Sequence, residues 1–290
     1  LHKFTGIFNG TPAEVATGGW PVTVSTGNIL SSPVYDWSSG LVFVGSTSGT
    51  TTGGQLHSVD ASSGALVSSA RLATNSSSGV RDAPVVDSTA QVAYAFVGSD
   101  VGASGTNCST APCMSVYQFP TTFTGGSTGT KFYVGRGVTS TTLRFLYAGT
   151  FDDGYYNSGT PASPSGNLYV CGGLAATASR PTLWRIPITS NAMGTPVQGP
   201  RLTGNTNANC SPVTEVMNGA NDYIFASVTA GGNDTGCSGA CVYMYNLTGL
   251  TWAPAAVANA GIAATGGASG IIVDNISSTT GASQIYYSTL

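Results

Sequence analysis

The chain has 290 residues, 41% hydrophobic and only 7% charged, with 12 acidic residues against 9 Lys and Arg and a net charge of −3. Hydrophobic content at that level can build a core, which excludes a disordered chain. The lack of a basic stripe excludes nucleic acid as a partner, and no apolar run is long enough to span a membrane.

So small a net charge gives little repulsion between copies, and self-association is expected. The chain opens at Leu1 rather than Met, which reads as a processed or trimmed chain.

Taken in order, residues 1–18 read as an N-terminal extended arm and residues 19–290 as a single repeat domain. After the arm, Trp20-Pro21-Val22-Thr23-Val24 reads as a strand lent to the far end of the domain. The phrase Ser32-Pro33-Val34-Tyr35-Asp36 then returns as Ala83-Pro84-Val85-Val86-Asp87 and Ser211-Pro212-Val213-Thr214-Glu215. Weaker copies stand at Gly270-Ile271-Ile272-Val273-Asp274 and Arg144-Phe145-Leu146-Tyr147-Ala148. Each copy is followed by a second apolar run and a Gly, Asn, Ser or Asp turn, the pattern of hairpins. An all-β repeat of roughly 50–65 residues predicts a β-propeller of about five blades of antiparallel strands.

The first blade is expected over 32–36, 41–45, 55–60 and 65–72, and the second over 84–87, 92–97, 114–119 and 131–138. The third is expected from 145 through 167–171 and 182–188 to 196–202. The fourth is expected from 212 through 223–228 and 242–246 to 252–257. The fifth has an inner strand at 271–274 and a second at 284–290, and no third, so the last blade is read as incomplete. An unfilled slot of this kind would leave apolar surface and unpaired backbone groups, which native chains cover.

Six cysteines fit an oxidising compartment. Cys108 and Cys113 bracket one short turn and Cys237 and Cys241 another, each just before an apolar strand in equivalent blade positions. Cys171 ends a strand of one blade and Cys210 opens the next. The expected pairs are Cys108–Cys113, Cys171–Cys210 and Cys237–Cys241. Seven Asn-X-Ser/Thr triplets are present, and Asn9, Asn75, Asn233 and Asn246 stand as glycosylation candidates beside Asn107, Asn209 and Asn275.

No catalytic, cofactor-binding or metal-ligating residue is assigned. The acids Asp36, Asp87, Glu215 and Asp274 end inner strands, where a carboxylate caps the following turn. His57 has no acid or nucleophile near it in sequence, and no nucleophile elbow, zincin helix, Walker loop or dinucleotide fingerprint occurs.

The Pro-Val-x-Asp strand, the apolar strand ending in Gly, and Leu56-His57-Ser58-Val59-Asp60-Ala61-Ser62-Ser63-Gly64 together resemble the repeat of quinoprotein-like β-propellers. That resemblance implies the propeller fold. In enzymes of that superfamily it also implies a cofactor pocket with clustered acids, a cation site and regularly placed Trp residues. Here Trp20, Trp37, Trp184 and Trp252 have no regular placement, so no cofactor is carried over. The chain is closest in character to secreted bacterial surface propellers.

The expected function is therefore a secreted structural protein without enzymatic activity, a subunit of an extracellular filament or surface assembly. The arm, through Phe4, Ile7 and Phe8, would fill the incomplete last blade, either of its own copy or, in a filament, of a neighbouring one, where Ile271, Val273, Ile285 and Tyr287 would receive it. The alternatives are a carbohydrate-binding propeller using Tyr155 and Tyr156, and a channel-mouth hydrolase or oxidoreductase using Asp36, Asp87 and Glu215.

Overall fold

Apolar runs separated by tight turns pair with their sequence neighbours. In the computed structural model, which describes all residues except 48–53, 74–78, 101, 103–104, 138–144, 176–179, 207, 235, 277–278, 280 and 290, they form successive antiparallel sheets. The first sheet contains Val34–Asp36, Leu41–Gly45, Leu56–Asp60 and Leu66–Ser68. The second contains Val85–Asp87, Val92–Val97, Cys113–Pro120 and Thr130–Arg136. In the third, Thr150–Phe151, Gly166–Gly172 and Thr182–Thr189 are followed by an outer position shared by Ala192–Met193 and Val197–Arg201. The fourth contains Thr214–Asn218, Asn221–Asp234, Cys237–Asn246 and Ala260–Ala263. The fifth has two strands among the described residues, Ile272–Asp274 and Gln284–Tyr286.

Strand alternation stacks these sheets face to face in chain order. Val92–Val97 is buried at every position. Its Ala93, Ala95 and Val97 turn toward Phe43 and Leu56 of the first sheet. Its Val92, Tyr94 and Phe96 turn toward Leu168, Val170 and Trp184 of the third. A run buried on both faces loses its polar alternation, and this segment shows it. Tyr169 and Leu183 pack on Ile224, Ala226 and Tyr243 of the fourth sheet. Phe225 and Val242 in turn pack on Ile271 and Val273.

The inner strand ends are tied together. Gln91 Nε2 donates to Asp36 Oδ2 (3.2 Å), the Tyr155 hydroxyl to Asp87 Oδ2 (2.8 Å), and Thr214 Oγ1 to the Ile271 carbonyl (2.8 Å).

Three expected strands are corrected. The third sheet's inner strand is Thr150–Phe151, while 145–149 is irregular and Arg144 lies outside the described residues. Phe151 enters the core from this strand, Leu146 enters it from the irregular stretch, and Asp152 caps the short helix Asp153–Tyr156. The fourth sheet's outer strand is Ala260–Ala263 rather than 252–257. Trp252 instead covers the third sheet, 5.3 Å from the Tyr169 ring, with its indole N–H donating to the Val197 carbonyl (2.9 Å).

Finally, Trp20, Val22 and Val24 form no strand but pack on Val44 and Val59, the outer face of the first sheet.

The N-terminal segment is a hairpin rather than an extended arm. Phe4–Thr5 pairs with Ala13–Glu14, and Leu1 exchanges two backbone hydrogen bonds with Val22. Lys3 anchors it, donating to the Ala61 carbonyl (2.7 Å) with its ammonium 5.9 Å from the Trp20 ring centre. An arm with free backbone groups gains hydrogen bonds by folding back on the nearest edge.

The disulfides are Cys108–Cys113, Cys171–Cys210 and Cys237–Cys241, the pairing read from the blade positions. Among the described residues no helix is long and apolar enough to cross a membrane. The disulfides fit an extracellular protein.

Candidate functional site

The fifth sheet leaves a groove. In each preceding sheet a third strand follows the second, but Gln284–Tyr286 has a paired strand on one side only among the described residues. A cavity of about 330 Å³ lies there, walled by Val216, Tyr223, Phe225 and Met244 of the fourth sheet and by Val273, Gln284 and Ile285 of the fifth. A second, of about 130 Å³, continues toward the fourth sheet's outer strand past Val242, Ala260 and Ile262. Phe225, Met244 and Ile285 border both. Apolar side chains form most of the wall, and an open strand edge runs beside it.

Of the expected acceptor residues, Val273 and Ile285 line this groove. Tyr287 packs at its margin, and Ile271 is buried behind it against Phe225 and Val242. The fourth-sheet wall of Val216, Tyr223, Phe225 and Met244 was missed in sequence. Its signal was alternation: Tyr223 and Phe225 point away from Ile224 and Ala226, which fill the other face.

The expected donor residues are at the opposite end of the molecule's sheet order. Phe4 and Ile7 are about half exposed and Phe8 is 95% exposed. Asn9 is exposed on the same hairpin. The Asn246 amide is tied to Asn221 (3.2 Å), and Asn75 and the Asn233 side chain lie outside the described residues.

The inner-strand acids divide by register. Asp36 accepts from the backbone N–H of Ser38 and Ser39, Asp87 from Thr89 and Ala90, and Asp274 from Ile276, so these three cap their turns. Glu215 does not. The Ser211 N–H and hydroxyl contact Ser227 as those of Ser31 contact Gly45, which places Glu215 at the position of Tyr35. The hairpin then continues to a two-residue turn between Asn218 and Asn221, and Glu215 falls mid-strand opposite Ile224.

Burial, then the neighbouring carboxylates of Asp222, Asp152 and Asp153, hold Glu215 well above the ordinary carboxylate range. Among the described residues no group of three or more His, Cys, Asp or Glu is arranged to hold a metal ion.

His57 is buried between the Ser68 and Ser46 hydroxyls at 2.8 and 2.9 Å, and burial pushes its pKa down to about 4. It is a satisfied core residue, because its strand is covered on both faces.

No protein-family model matches this sequence, and no curated protein is significantly similar to it.

Proposed function

We propose that this chain is a structural subunit of an extracellular assembly, joined head to tail. In this reading it is a β-propeller of about five blades. The last blade is split between the two inner strands at the chain's far end and an N-terminal half made of 1–5 and 13–24.

The observation that carries the reading is the pairing of two open edges. Leu1–Thr5 is bonded on the side of 13–22 and makes no other strand pairing among the described residues. Gln284–Tyr286 is open on the side of the apolar groove. Strand addition would satisfy both edges with backbone hydrogen bonds. Phe4 on the donor strand and the exposed Ile7 and Phe8 of the bend that follows it would bring apolar side chains to a groove that needs them. Between two copies, each subunit gives one edge and receives one, a heterologous contact that propagates. The donor is then a hairpin anchored on its own first sheet, and the three disulfides suit an oxidising exterior.

Negative-stain electron microscopy of the chain, with and without residues 1–9, tests this. Filaments or head-to-tail oligomers that disappear on deletion support it. Compact single particles in both samples would show the edges closing within one copy and end the assembly reading.

A further inference from the structure

A separate cavity, of about 260 Å³, opens between the inner ends of the second and third sheets. It is chemically unlike the apolar groove. Its wall combines the flat faces of Tyr155, Tyr156, Pro161 and Pro164 with the polar atoms of Asp87 and Thr89. Its volume sits just below the roughly 300–1,000 Å³ of sites for drug-sized ligands, so its occupant is small.

Three features define the ligand. Tyr156 is 67% exposed, while Tyr155 beneath it is stacked on Phe151 with ring centres 3.8 Å apart. The edge-on contacts of Tyr156 to both rings, at 6.0 and 6.2 Å, fix it as an open aromatic platform.

Asp87 is held rigidly at the cavity wall. Its Oδ1 accepts from the Thr89 and Ala90 N–H groups, both at 2.8 Å, and its Oδ2 from the Tyr155 hydroxyl at 2.8 Å. Burial, with Tyr94 and Asp87 nearby, pushes the Tyr155 phenol far above its ordinary range, so that hydroxyl remains a donor. A carboxylate has about four acceptor sites, and these bonds leave Oδ2 one more. Among the described residues no Lys or Arg lines the cavity, so an anion would find no counter-charge there.

An aromatic platform, a preorganised acceptor and no cation match a molecule with one C–H face and a rim of hydroxyls. We infer that this cavity binds a neutral saccharide of one or two pyranose units. The ring lies on Tyr156, and one hydroxyl donates to Asp87 Oδ2. This site is separate from the groove and does not depend on the assembly reading.

Saturation-transfer NMR and calorimetry with maltose, cellobiose and N,N′-diacetylchitobiose, with choline chloride in parallel, test it on the full chain. At least one disaccharide should bind. Tyr156→Ala should weaken that binding tenfold or more without moving the melting temperature, and Tyr156→Trp should restore it. Overturning results are that no disaccharide binds, that Tyr156→Ala binds as well as the unaltered chain, or that only choline binds, which would make this a cation site.

Discussion

Glu215 and Asp222 lie on neighbouring strands of the fourth sheet and on the face turned to the third, with one oxygen of each, Oε1 and Oδ1, buried and the two carboxyls within hydrogen-bond reach of each other. Burial raises both carboxyls, Glu215 most, and each is near the charges of Asp152 and Asp153. A carboxyl whose folded-state pKa is raised contributes stability that is full below its ordinary value and declines as pH rises. Stability is therefore expected to fall from about pH 4.5 upward through neutrality. Because the pair is half exposed, the effect is screened, and Glu215→Gln should stabilise by about 1 kcal/mol at pH 8 and by nothing at pH 5. Urea unfolding at the two pH values checks it. Equal gains at both would show that charge is not the cause.

His57 acts in the opposite direction. Its neutral ring is held between Ser46 and Ser68, and its folded-state pKa is about 4 against an ordinary 6.5. The unfolded chain takes up its proton first, so stability is lost as pH falls from 6.5 toward 4. Between pH 7 and pH 5 the loss should be about 2 kcal/mol. It is best read in the Glu215→Gln background, where the larger opposing contribution is removed. An NMR titration of the His57 ring gives the direct check, and a midpoint near 6.5 would refute the buried assignment.

The disulfides should differ in weight. Cys171–Cys210 spans 39 residues and ties the third sheet to the fourth, whereas Cys108–Cys113 spans 5 and Cys237–Cys241 spans 4. Loop entropy predicts about 4 kcal/mol for the long bridge and about 2 kcal/mol for each short one. Pairwise Cys→Ser variants compared by denaturant midpoint should rank in that order. A short bridge that costs as much as the long one would point to native-state contacts in place of chain entropy.

Much of this organisation was legible because it depends on local pattern. Pro33-Val34-Tyr35-Asp36 and Pro84-Val85-Val86-Asp87 announce an inner strand and its turn cap, and both are found so. The third sheet was misplaced because the aromatic run at 145–147 outweighed the shorter Thr150-Phe151-Asp152, although only the latter keeps the acid after an apolar residue. Glu215 was misaligned for a different reason. The phrase Ser-Pro-Val-x-acid survives there, but a tighter turn at Gly219-Ala220 lengthens the hairpin and shifts the acid off the cap. Register depends on turn length, which a repeated phrase does not encode. The groove was half legible: Val273 and Ile285 belong to the incomplete sheet, whereas its other wall belongs to the fourth sheet. The cavity between the second and third sheets brings Asp87 beside Tyr155 and Tyr156, nearly 70 residues on, a meeting made only by the stacking of two sheets.

Surface and core phenylalanines should separate assembly from folding. Phe8 is 95% and Phe4 55% exposed, so Phe4→Asp with Phe8→Asp removes little buried area and should change stability by about 0.5 kcal/mol or less. Phe43 is fully buried between the first and second sheets, and Phe43→Ala should cost about 3–5 kcal/mol. Sedimentation velocity beside thermal melting distinguishes the two roles. The double Asp variant is expected to melt with the unaltered chain yet sediment as a monomer, because two carboxylates cannot enter the groove walled by Phe225, Met244 and Ile285. If that variant still forms the same oligomers, the N-terminal hairpin is not the donor.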